Sequence, residues 1–165
     1  MVDTIESAIV GRLESQITDL TIKAFPSRPE EFKKLPVGNK GIVLVAYSGS
    51  ALSEPTNMDA LIQDRALEFS VTLQIRDLRG HDGAYDYLED IRAALSGWSP
   101  TSDDRVMYMV SEGLLRLIDN LWVWGQTWRL TVRQANEVEP ADNTDEPESE
   151  EPVSPDEPGD TGEPV

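Results

Sequence analysis

The segment from Leu67 to Arg76 constrains the fold most. Leu67, Phe69, Val71, Leu73 and Ile75 alternate without a break with Glu68, Ser70, Thr72, Gln74 and Arg76. Side chains on a strand repeat every two residues, so this segment has one apolar face and one polar face. A helix would scatter the same apolar residues around its circumference. The segment outruns an ordinary strand of about five or six residues, as suits a strand at the centre of a sheet or one that protrudes.

The flanking chain supplies the other elements. Asp3 to Leu20 predicts an amphipathic helix, with Ile5, Ile9, Leu13, Ile17 and Leu20 on one face. Asp3 is placed to cap it, and Glu6 stands at the capping-box position. Phe25 to Asn39 holds Pro26, Pro29 and Pro36 and reads as a surface connection, in which Lys33 and Lys34 are either solvated or a contact point. Gly41 to Tyr47 is a continuous apolar run, expected as a strand covered on both faces or near the sheet centre. Ser48 to Gln63 lacks periodicity and carries Gly49, Pro55 and Asn57. It is expected to be a long excursion between two strands, serving either as a partner contact or as a plain hairpin tip.

Beyond the alternating segment, Gly83 to Ser96 predicts a second helix. Ala84, Tyr87, Leu88, Ile91, Ala94 and Leu95 share a face, Asp82 stands as N-cap and Gly97 as the residue past the C-cap. Trp98 is expected to fold back on that helix end. Arg105 to Leu117 reads as a strand bent or bulged at Gly113, and Asp119–Asn120 is a turn signal. Leu121 to Gln134 is the last strand, with Trp122 and Trp124 on the Trp128 side and Gly125 a candidate bulge. The order is helix, strand, strand, helix, strand, strand. It predicts an α+β domain over residues 1–134, built as a four-stranded, mainly antiparallel sheet with both helices on one face.

Charge separates the rest of the chain from this domain. The net charge is −17 over 165 residues, but from Glu137 onward there are 12 acids and no Lys or Arg. The remainder holds 19 acids against all 14 bases, a net of −5. Residues 135–165 are expected to be a disordered acidic tail, too poor in apolar side chains to offset the entropy of ordering. Such a tail serves as a solubilising bristle, a nucleic-acid mimic or a segment that folds onto a basic partner. Neither part carries the basic stripe of a nucleic-acid binder.

The sequence argues against catalysis. With no Cys and one His, thiolate ligands, cysteine nucleophiles and multi-histidine zinc sites are excluded. His81 lies beside Asp82 as an acid–base pair or, more simply, a loop histidine, and no nucleophile accompanies it. The carboxylates Asp77, Asp82, Asp86, Glu89 and Asp90 match no calcium-loop spacing, and Asp103–Asp104 is weaker still. There is no phosphate-binding glycine loop. The tryptophans with Arg129 and Arg133 suggest base stacking, but core and interface packing suits a net acidic domain better. No cofactor and no metal are expected. No apolar run approaches the roughly 18 residues of a membrane span, and the N-terminus lacks a signal-peptide core.

Residues Gln63 to Pro100 carry a resemblance. They include RALEFSVTLQIRDLRGHDGAYDYLEDIRAALSGWSP, with an Arg-rich corner after the strand, an Asp-Gly-Ala-Tyr helix start and an Ile-Arg-x-x-Leu-x-Gly helix end. With GIVLVAYSGS before and the W-x-W-G-Q-T-W-R-L-T-V hairpin after, the chain resembles the tail-completion family of Mu-like contractile-tailed phages over Met1 to Gln134. The resemblance implies a virion protein, made in the host cytoplasm and placed at the head-proximal end of the tail. Its subunits would form a ring, usually hexameric, that caps the tail tube and offers a docking surface to the head–tail connector. The implied partners are further copies of the chain, tube and sheath subunits and a neck protein, with DNA passing through unbound and no membrane involved. Contacts are expected at Ser50, Leu52, Glu54 and Met58 of the excursion, and at Arg76 and Arg79, which either pair with acids of a neighbour or form intrachain salt bridges. The alternatives are another neck protein, a monomeric acidic binding module, and a small enzyme using His81.

Overall fold

In the computed structural model, residues 1–32, 40–56, 62–79, 83–101 and 105–135 are described. The alternating segment lies at the centre of a sheet, as β3 (Ile62–Ile75). Its neighbours are β2 (Gly41–Leu52) on one side and β5 (Leu121–Ala135) on the other, both antiparallel to it. β4 (Tyr108–Ile118) pairs antiparallel with the far side of β5. β1 (Thr21–Ala24) pairs parallel with β2. The sheet therefore has five strands in the order β1-β2-β3-β5-β4 and is mixed. The expected four-stranded sheet lacked β1. The TIKA segment is only four residues long and buries a single side chain, Ile22, so it shows no readable alternation.

Two helices cover one face. α1 (Val2–Gln16) and α3 (Ala84–Leu95) pack on each other and on the sheet, and α2 (Pro29–Phe32) is a single helical turn in the connection after β1. Ile5, Ile9 and Leu13 of α1 and Leu88, Ile91 and Leu95 of α3 form one core with Leu67, Phe69, Val71, Leu73 and Ile75. Trp128 and Leu130 of β5 join it, both fully buried. Each such side chain contributes about 1.5–3 kcal/mol by leaving water. The polar residues of β3, Glu68, Ser70, Thr72 and Gln74, face the other way and are half-buried, and that second face also buries Ile42, Leu44 and Val123.

The helix boundaries show where local signals gave way. α1 stops at Gln16, not Leu20; Ile17 turns into extended conformation, yet Ile17 and Leu20 remain buried. Asp3 does not cap α1, since the helix begins at Val2 and no side chain caps it. Glu6 reaches across to the sheet instead and accepts the Tyr47 backbone N–H at 3.0 Å. That N–H sits where Ser48 bulges out of β2, so a carboxylate satisfies a donor beside the ladder's irregularity. α3 begins at Ala84, one residue later than expected, so the N-cap position falls to Gly83 and not to Asp82, which lies outside the described residues. Gly97 takes φ +71° past the helix end, and Trp98 packs back on the core with Arg12 over its ring.

The last hairpin closes on Asp119 and Asn120, both at positive φ, the type I′ turn that matches strand twist. Gly113 and Gly125 pair with each other in regular register, so neither is a bulge. The bulges of β4 fall at Val110 and Leu115.

Candidate assembly surface

The predicted contact residues fall at two separate places. Ser50 and Leu52 lie on β2 and Glu54 just after it, all exposed. Much of the expected excursion is in fact strand, because β2 runs on to Leu52 and β3 begins at Ile62. The ladder continues past Leu52, where Ser53 N–H donates to Asp64 O at 2.8 Å and Thr56 N–H to Ile62 O at 2.7 Å. Arg65 cements this end, donating to Ser50 Oγ at 3.0 Å and to the Tyr47 hydroxyl at 3.2 Å. The Ser50 hydroxyl and the Arg65 guanidinium hold the Tyr47 phenol below its ordinary pKa. Met58 lies outside the described residues, as do His81, Lys33, Lys34 and Asp103–Asp104.

Arg76 and Arg79 follow the opposite end of β3. Both are exposed, and among the described residues neither has an ion-pair partner. Arg65 and Arg76 are eleven residues apart on an extended chain, roughly 35 Å. The two groups of residues therefore cannot form one site; they present two ends of the subunit.

The surface that sequence reasoning missed is the β4–β5 hairpin. β4 is an edge strand, and Leu114, Leu115, Leu117 and Ile118 are 48%, 62%, 57% and 44% exposed. The bulge at Leu115 explains why both faces of the hairpin are apolar. Leu114 pairs with Trp124 and Leu117 with Trp122 on the helix-bearing side. Leu115 folds over Gly125 on the other side, where an added Cβ would meet its Cδ1 at 2.9 Å. The signal was present as the run Leu114-Leu115-Arg116-Leu117-Ile118, whose lack of alternation is out of place in an edge strand.

A buried amide fixes the root of this hairpin. Gln126 is 2% exposed. Its Oε1 accepts from Trp128 Nε1 at 3.0 Å, and its Nε2 donates to Leu88 O at 3.2 Å and to Glu112 Oε2 at 2.7 Å. Arg92 of α3 completes the tie by pairing with Glu112 at 3.1 Å and Glu89 at 2.6 Å. The hairpin is thus pinned to α3 at Glu112; beyond it β5 stays paired with β3 as far as Trp122 and Tyr85 of α3 meets Trp124 edge-on, so the exposed part is the outer strand β4. Among the described residues no cluster of three or more His, Asp or Glu could hold a metal ion.

A family model described as Gp37 protein matches residues 9–151, from within α1 through the sheet and into the acidic segment. No curated protein matches the chain in sequence. Among solved structures, a chain of a native gene transfer agent virion particle is similar, with a TM-score of 0.53 and 10% identity. The likeness covers 81% of this chain and 97% of that one, and at this identity it is a likeness of fold.

Proposed function

The chain belongs to the Gp37 protein family, and on that premise we propose that it is a structural protein of a phage or phage-derived particle. Its role is that of a tail-completion subunit, closing into a ring on the head-proximal end of the tail tube. The observation that carries this reading is the β4–β5 hairpin, whose edge strand β4 exposes large aliphatic side chains on both faces. Monomeric proteins rarely leave such a patch in water. A ring requires a surface on each subunit that fits a different surface on the next. The similar gene transfer agent chain comes from a virion particle, which supports a structural role over a catalytic one.

The two ends of β3 suit two neighbours. The end bearing Ser50, Leu52 and Glu54, with Met58 nearby in sequence, contacts the tail tube or sheath. The end bearing Arg76 and Arg79 offers unpaired cations to acids of a neck protein or an adjacent copy. DNA passes the ring without being held, because the folded part is net acidic. The ring works in the virion without a cofactor.

Native mass spectrometry of the full chain, alone and mixed with tail tubes, tests the reading. The expected result is a closed oligomer, hexameric by the family resemblance, in solution or on tube ends. A chain that stays monomeric and leaves growing tubes uncapped overturns it.

A further inference from the structure

We propose that the β4–β5 hairpin of one copy seats in a groove at the β1 edge of the next copy; this rests on the ring reading and specifies its interface. The groove lies between the end of α1 and β1, an open depression of about 370 Å³. Ile17, Leu20 and Ile22 line it, with Glu14, Thr18 and Lys23 among the residues at its rim. Hairpin and groove lie at opposite edges of the sheet, because β4 and β1 are its two edge strands. A contact between opposite edges is heterologous: it propagates from copy to copy and closes into a ring if the rotation allows. Two copies joined through the same patch would instead stop at a dimer.

Charge supports this occupant. The hairpin carries Arg116 and, in its turn, Asp119; the groove carries Glu14 and Lys23. All four are exposed, and among the described residues none has an ion-pair partner. One copy thus presents a cation and an anion beside apolar side chains, and the other presents an anion and a cation around a depression in which Ile17, Leu20 and Ile22 are at most 8% exposed. Leu117 and Ile118 stand between Arg116 and Asp119 in sequence, as the apolar residues to fill the depression.

The natural chain has no cysteine, so site-directed crosslinking has no background. The full-length double variant Thr18→Cys with Leu117→Cys, treated with a short bismaleimide, is expected to give a covalent ladder that ends at the ring mass, while each single variant does not. Arg116→Glu is expected to weaken association by about tenfold or more, and Glu14→Arg in the same chain to restore it. If the double-cysteine variant keeps the wild-type oligomer by native mass spectrometry but gives no ladder, the groove is not the docking site and the ring reading survives. A covalent dimer from the Leu117→Cys single variant would show a symmetric contact and overturn the proposal. If the wild-type chain forms no oligomer even on tube ends, the ring reading itself fails.

Discussion

Tyr87 ties three elements together through one carboxylate. Its hydroxyl donates to Asp19, which also pairs with Lys40 at 2.8 Å. The Lys40 ammonium and then the Tyr87 hydroxyl hold the Asp19 carboxyl below its ordinary pKa of 3.8. The folded value being the lower one, the stabilisation is present above the ordinary value and is lost as pH falls through the folded value. The charged pair is 43% and 41% exposed, so the ion pair itself contributes less than about 1 kcal/mol. Tyr87→Phe is expected to lower stability near neutral pH by about 1 kcal/mol and to flatten the loss below pH 4. Urea midpoints across pH check this; an acid limb as steep as the wild type's would assign the shift to Lys40 alone. Gly41 is a second sensitive position. A Cβ there would sit 2.4 Å from the backbone oxygen of Gln74, an atom in the central strand that cannot step aside. Gly41→Ala is expected to cost about 1–3 kcal/mol in urea unfolding.

At the scale of elements, the β4–β5 hairpin divides into a buried root at Gln126 and an exposed arm, the stretch of edge strand β4 from Leu114 to Ile118. Gln126→Leu removes the acceptor of Trp128 Nε1 and the donor to Leu88 O, leaving buried polar groups unpaired. A loss of about 1–3 kcal/mol is expected, readable as a lower thermal midpoint. The arm behaves oppositely. Leu115 and Leu117 are more than half exposed, so Leu115→Lys with Leu117→Lys should leave the unfolding free energy within about 0.5 kcal/mol. The same variant should abolish the oligomer seen by light scattering. Loss of stability with an intact oligomer would mean that the arm packs within its own subunit. The legible elements were those whose period runs long enough to count. The reading Gly83–Ser96 is within a residue of α3 at each end, and the core of β3 coincides with its alternation. α1 was overextended because Ile17 and Leu20 keep the helical spacing and the burial while leaving the helix.

For the whole molecule, the described residues end at Ala135, which pairs with Ile62 at the start of β3. Truncation after Ala135 removes 12 acids and no base. The shortened chain is expected to unfold at a free energy within about 0.5 kcal/mol of the full chain and to form the same oligomer. The match of the family model to residue 151 gives the contrary outcome a meaning. A clear drop in thermal midpoint would place residues 136–151 in the folded domain.

The alternation of Leu67 to Ile75 and the helical face of α3 were sufficient to determine a long strand with one apolar face and a helix to cover it, because side-chain period is a local property of the backbone. The absence of Cys and the single His likewise excluded thiolate chemistry and multi-histidine metal sites. Pairing decided the rest. β1 exists because β2 offers it a parallel edge, and the excursion became strand because β2 and β3 continue to bond past Tyr47. Whether Ser50 and Arg76 share a site depended on the length of the strand between them. Whether Leu115 and Leu117 are core or surface depended on which strand ended up at the edge, and no residue carries that information by itself.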